Sequence, residues 1–129
     1  NRKDYRPYWG MAKVLSKNDH IDKAINLYDH ALDLSPTDFN FYNNFSVLVV
    51  NKWMKSHDPR YMTKAEALLN ESISLDPNDA EAYVLLSFAC SAQGKISEAK
   101  LTLESAQKAK KKNKLSQDLI DIQSKILAK

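Results

Sequence analysis

Three histidines, one cysteine and a scatter of carboxylates are the residues from which a metal or nucleophilic site would have to be assembled. His20, His30 and His57 make no pair at i, i+3 or i, i+4, and Cys90 has no second cysteine, so ordinary metal-ligand spacing is missing. Cys90 sits in an apolar run and reads as a small buried hydrophobe rather than a nucleophile. Asp76 and Asp79 bracket a Pro-Asn pair and are explained as helix caps. Gly10 and Gly94 stand too far apart to form a phosphate loop. No base, nucleophile and oxyanion site converge, so the expectation is neither an enzyme nor a cofactor carrier.

Charge offers the other route to chemistry. The formal net charge of +3 is local, because five lysines, Lys108, Lys110, Lys111, Lys112 and Lys114, fall in one short stretch. Such a run has the charge to contact phosphates, which makes nucleic-acid binding the rival reading. It carries no arginine and no interleaved aromatics for stacking, and it suits the negative end of a helix, so a solvated segment is the simpler account. No apolar stretch approaches the roughly 20 residues of a membrane span, which argues against direct membrane insertion.

A chain of 129 residues, 43% hydrophobic, is long enough for one compact unit. It begins at Asn1 and its first methionine is Met11, which reads as a piece of a larger protein or a processed product. A lone cysteine removes the best marker of an oxidising compartment, tilting the localisation towards the cytoplasm without fixing it.

The elements that must carry any site show a period. Tyr8, Tyr42 and Tyr83 are followed at identical offsets by Met11, Phe45 and Leu86, by Ala12, Ser46 and Ser87, and by Leu15, Val49 and Cys90. A second series, Ala24, Ala65 and Ala99, precedes Tyr28, Leu69 and Leu103 by four residues and Ala31, Ser72 and Ala106 by seven. Small residues at these positions let paired helices approach while the large ones fill the space beside them. The segments Ser35-Pro36-Thr37-Asp38 and Asp76-Pro77-Asn78-Asp79 supply caps, with Glu81 placed to complete a box on Asn78. Gly94 falls where the third hairpin turns. Helices are expected at about 6–17, 21–34, 39–56, 59–75, 80–93 and 97–110, followed by a terminal helix over 115–127.

With its aromatic openers, small-residue positions and closing prolines Pro36 and Pro77, the stretch from Tyr5 to Lys112 resembles three tetratricopeptide repeats. The resemblance implies an all-α superhelix of three helical hairpins plus a capping helix. Repeats would span about 5–38, 39–79 and 80–113, with the capping helix at 115–128. Lys111 stands where a closing proline would be, as expected if no full repeat follows. In the terminal helix, Leu115, Leu119, Ile122 and Ile126 form one apolar stripe, expected to cover the last hairpin.

The tyrosine openers are separated by 34 and then 41 residues, while the partner alanines are separated by 41 and then 34. The seven extra residues therefore lie inside the second hairpin and amount to about one added turn per helix at roughly 3.6 residues per turn. The hairpin should project, with Trp53, Met54, Tyr61 and Met62 at its tip, either packed on one another or offered as a secondary partner surface.

In the resembled family the first helix of each repeat lines a concave groove. Carried onto this chain, the groove presents Arg6, Trp9 and Lys13, then Asn40, Asn43, Asn44 and Val47, then Glu81, Val84 and Phe88. A family subset clamps the terminal carboxylate of chaperone tails with lysines and asparagines. Here Asn44 fits, but Trp9 and Lys13 occupy the first repeat's clamp positions, and Glu81 and Leu85 stand where the third repeat needs basic residues. A glutamate would repel a carboxylate, so the resemblance implies instead an extended or helical partner segment with apolar anchors at Trp9, Val47, Val84 and Phe88. The same four residues would equally suit packing against a further helix or domain. Self-association through the uncovered first hairpin is a third reading.

Overall fold

The computed structural model describes residues 4–129 and shows seven helices: α1 (Arg6–Lys17), α2 (Ile21–Leu32), α3 (Phe39–Ser56), α4 (Pro59–Leu75), α5 (Ala80–Ala92), α6 (Ile96–Lys108) and α7 (Lys114–Leu127). They pair as the hairpins α1/α2, α3/α4 and α5/α6, which stack in chain order, and α7 closes the array against α5 and α6. No helix among the described residues is long and apolar enough to cross a membrane.

The small residues do what their spacing implies. Ala12, Ala24, Ala31, Ser46, Ala65, Ser72, Ser87, Ala99 and Ala106 are all fully buried at the paired faces. Ser87 Oγ donates to the carbonyl of Ala99 across the third hairpin at 2.7 Å, a contact possible only where the two backbones come close. Around them Tyr28, Phe41 and Phe45 form an aromatic part of the core, with Tyr28 stacked on Phe45 at 4.7 Å. Burial pushes the Tyr28 hydroxyl up to about 12, partly offset by the nearby Trp9 N–H.

The tyrosine openers have a second role that their spacing alone does not reveal. Tyr42 Oη donates to the Pro36 carbonyl at 2.9 Å and Tyr83 Oη to the Pro77 carbonyl at 2.8 Å. Tyr42 and Tyr83 thus tie their helices to the proline that closes the preceding repeat. Proline has no N–H to donate and a fixed φ, so its carbonyl is held as an acceptor facing the tyrosine.

Helix ends follow local chemistry. Asp38, Asp58 and Asp79 accept from the backbone N–H two residues on and cap α3, α4 and α5. The cap of α5 is therefore Asp79, and the expected box of Glu81 on Asn78 does not form. Gly94, at φ +81°, closes α5 in a Schellman arrangement, with Lys95 N–H on the Cys90 carbonyl at 2.9 Å and Gly94 N–H on Ser91 at 3.0 Å. Asp19 takes the same position after α1, at φ 66°, with His20 N–H bonded to the Leu15 carbonyl.

The boundaries of α2 and α6 fall short of expectation by two residues at the C-terminal end. For α2, Ser35 turns into the left-handed region at φ 56°. For α6, the chain leaves the helix to dock on the loop between α4 and α5: Lys111 N–H donates to the Asn78 carbonyl at 2.9 Å, and Ala80 N–H donates to the Lys111 carbonyl at 3.1 Å. A proline at 111 could not make the first of these bonds.

The second hairpin is longer than its neighbours, with 18 and 17 residues in its helices against 12 and 12 in the first and 13 and 13 in the third. Met62 is fully buried between α3 and α4, and Tyr61 packs on the first core cluster. Removing the Tyr42 hydroxyl isolates the tyrosine–proline contact. Tyr42→Phe should lower stability by about 1 kcal/mol, read as a lower urea midpoint at unchanged m-value. Tyr83→Phe, whose bond is exposed to water, should cost less.

Candidate functional site

The expected groove residues separate into three groups. Arg6, Lys13, Asn40, Asn44 and Val47 are exposed on the first helices of repeats one and two. Arg6 is held by Asp4, its Nε 2.9 Å from the carboxylate, and Lys13 lies over the Trp9 ring at 4.6 Å.

The second group is committed to the fold. Asn43 is 1% exposed and is not available to a ligand. Its Nδ2 donates to Asp79 at 2.8 Å and Glu81 at 3.4 Å, while its Oδ1 accepts from Ser72 Oγ at 2.6 Å. It ties α3 and α4 to the start of α5, so its expected place in the groove is corrected. Trp9 is half-buried, edge-on to Phe41 at 5.7 Å and stacked with Tyr5 at 6.3 Å. Its indole N–H is buried with no acceptor in hydrogen-bonding geometry. Glu81 sits beside Asn43 and Asp79, its carboxyl pushed above the ordinary value by burial and then by Asp79, with the Asn43 hydrogen bond opposing.

The third group lies where α7 meets α5. Val84 is only 3% exposed, covered in a cluster with Leu103 and Ile120. Phe88 stays partly open. Trp53 reaches it from the projecting hairpin, the rings perpendicular and 6.5 Å apart.

α7 itself is turned relative to expectation. Its buried residues are Ser116, Ile120 and Gln123, whereas Leu115 is 57% exposed, Ile122 56% and Ile126 46%. The helix is rotated by about one residue, roughly 100°. Gln123 accounts for this register: its Nε2 donates to Ser87 Oγ at 3.1 Å and Ser91 Oγ at 3.3 Å, satisfying a buried amide. An Asn113–Ser116 capping box fixes the start of the helix.

The consequence is an apolar trough on the side of α3, α5 and α7. A cavity of about 300 Å³ is lined by Met54, Leu85, Phe88, Leu119, Ile122 and Ile126, among others, with no charged residue in its lining. Of the tip residues, Met54 joins this trough and Trp53 borders it, whereas Tyr61 and Met62 are packed inward. The trough could not be read from the repeat pattern, because that pattern says nothing of how a terminal helix is rotated.

The chemistry-bearing residues are otherwise spent on structure. His20, His30 and His57 are exposed, and the His30 ring lies tilted against Tyr8, centroids 4.3 Å apart. Cys90 is buried and its thiol pKa is raised, chiefly by burial. Its Sγ lies within 4.8 Å of carboxylate oxygens of Glu66 and Glu98. Glu66 already accepts from Gln93 Nε2 at 2.8 Å and from Lys95 Nζ at 3.2 Å, so this group latches the α5–α6 turn to α4. Within the lysine run, Lys111 pairs with Asp76 at 2.6 Å, Lys114 pairs with Asp118, and Lys112 donates to the Gln107 carbonyl.

Paired antiparallel helices stacked in chain order and closed by a single helix define an α-helical repeat array. The chain belongs to the tetratricopeptide repeat family: residues 5–38 match one model of that repeat and residues 62–121 another. No curated protein matches it by sequence. Among solved structures it is similar to the Arabidopsis OM64 TPR domain, at 18% identity over 99% of this chain and 97% of that one, with a TM-score of 0.79. It is also similar to the TPR2B domain of yeast Sti1 in complex with pHsp70, at 23% identity over 97% and 96%, TM-score 0.79. A third likeness is to the first TPR of Spaghetti (RPAP3) bound to the HSP90 peptide SRMEEVD, at 19% identity over 100% and 97%, TM-score 0.74. At these identities the likeness concerns the fold.

Two ionisable contacts have measurable consequences. Glu81 has a raised folded pKa, so its charge is a burden above that pKa and none below the ordinary 4.5. Glu81→Gln should therefore raise the melting temperature at pH 7, with the gain vanishing as pH falls below 4.5. Asp76 shows the opposite sign, its pKa lowered first by Lys111 and then by the Asn78 N–H. The stability it contributes is present above about pH 3.9, its unfolded pKa, and is lost as pH falls through the lower folded value. Lys111→Met should destabilise at neutral pH by an amount that disappears in acid, and should move the Asp76 carboxyl titration upward by NMR.

Proposed function

We propose that this chain is a protein-interaction module that receives a segment of a partner protein in the trough between α3, α5 and α7. The observation that carries the reading is the orientation of α7, which leaves Ile122 and Ile126 exposed beside Phe88 and Met54. A contiguous apolar surface of this kind on a folded domain marks an interaction site. Phe88 and Met54 supply the aromatic and adaptable contacts that anchor such interfaces.

The fold supports the same reading, since structurally similar domains are solved in complex with chaperone peptides. The manner of binding differs, because Glu81 and Leu85 stand on α5 where a carboxylate clamp would need cations. Apolar anchoring replaces it. Of the residues carried over from the family, Phe88 and Val84 belong to the trough or its floor, with Asn40, Asn44 and Val47 on the adjoining face of α3.

The test compares capture from native lysate by the wild-type domain and by Met54→Asp and Ile122→Asp variants, both exposed positions whose folding is checked by circular dichroism. A protein captured by the wild type, lost with both variants and protecting α5 and α7 from hydrogen exchange would support the trough. Undiminished capture by both variants would move the site elsewhere.

A further inference from the structure

The trough continues past Phe88 into a second cavity. This one, of about 510 Å³, lies at the end of the array, walled by Trp53, Phe88, Ile96 and Ile126. Phe88 and Ile126 line both cavities, so the two form one continuous surface. Their electrostatics differ. The first has no charged lining residue, while the second is lined by the side chains of Lys100 and Lys129 and by no Asp or Glu.

Both lysines are exposed, and among the described residues neither is seen in a side-chain ion pair. This contrasts with Lys52, Lys64, Lys95 and Lys111, each held by a carboxylate from another element. Two lysine ammonium groups outside any side-chain ion pair, set beside an apolar wall, favour a group that joins a large apolar side chain to negative charge.

Resting on the trough reading above, we infer that the bound segment is an acidic one of a partner protein. Its bulky apolar side chains fill the Met54–Phe88–Ile122 trough, and one or more carboxylates next to them pair with Lys100 and Lys129. These cations come from α6 and from beyond the end of α7, not from the first helices of the repeats, so recognition is placed at the closed end of the array.

Selection of random 12-residue peptides displayed on phage, with the wild-type domain as bait, tests the chemistry without a known partner. The expected result is enrichment of peptides combining large apolar residues with Asp or Glu. A synthetic peptide of the enriched sequence should bind at least ten-fold more weakly to the Lys100→Glu/Lys129→Glu variant by fluorescence anisotropy. Exchanging its acids for lysine should restore binding to that variant. Enrichment of neutral or basic peptides, or equal affinity for the double variant, overturns the inference while the trough stands if Phe88→Asp abolishes binding. Unchanged binding to a folded Phe88→Asp variant overturns the trough itself, and no enrichment over an unrelated control protein counts against both.

Discussion

The close approach of two helices at a column of alanines and serines is the contact on which the rest of this structure depends. Ala12 with Ala24, Ser46 with Ala65 and Ser87 with Ala99 mark the seam of each hairpin, and all six are fully buried. Because only small residues stand at these closest points, many of the bulky residues beside them pack onto the neighbouring hairpin. Phe41, Phe45 and Leu48 therefore belong less to their own pair than to the junction with the first repeat. Stability becomes a chain of such junctions, each dependent on the next.

The junctions are secured by polar contacts as well as by apolar area. The tyrosine hydroxyls bond the closing proline carbonyls, Asn43 gathers Asp79, Glu81 and Ser72, and Lys64 reaches Asp29 at 2.6 Å between repeats one and two. Each exposed ion pair adds little alone. Their value is geometric, since they fix how far one hairpin slides on the next and so where the tip of α3 meets α5. The longer second hairpin would otherwise bring Trp53 and Met54 to no definite place.

Much of this architecture was legible in the sequence because a repeat prints its packing three times. Helix existence, the cap at Asp38, the turn at Gly94 and the length of the second hairpin all follow from offsets and local chemistry. The candidate site was less legible. Asn43 occupies a position beside the packing face, yet its amide is worth more to Asp79 and Glu81 than to a ligand. Trp9, expected as an apolar anchor, is half-buried against Tyr5 and Phe41. A single pattern of small and large residues does not reveal which polar side chains will find partners 36 residues away.

The orientation of α7 shows why. Leu115, Leu119, Ile120, Ile122, Ile126 and Leu127 spread over more of the helix than one interface can cover, so hydrophobicity alone admits more than one rotation. Burying Leu115, Leu119, Ile122 and Ile126 would gain apolar area but turn Gln123 away from Ser87 and Ser91, leaving those hydroxyls to other partners. The observed register keeps the buried amide bonded and buries Ile120, but leaves Leu115, Ile122 and Ile126 largely uncovered. At roughly 1.5–3 kcal/mol for full burial of such a side chain, that is a substantial amount of free energy left exposed at one edge. A partner that covers Ile122 and Ile126 recovers it without disturbing Gln123. The polar bond that sets the rotation of the last helix thereby also sets the apolar surface that the domain offers.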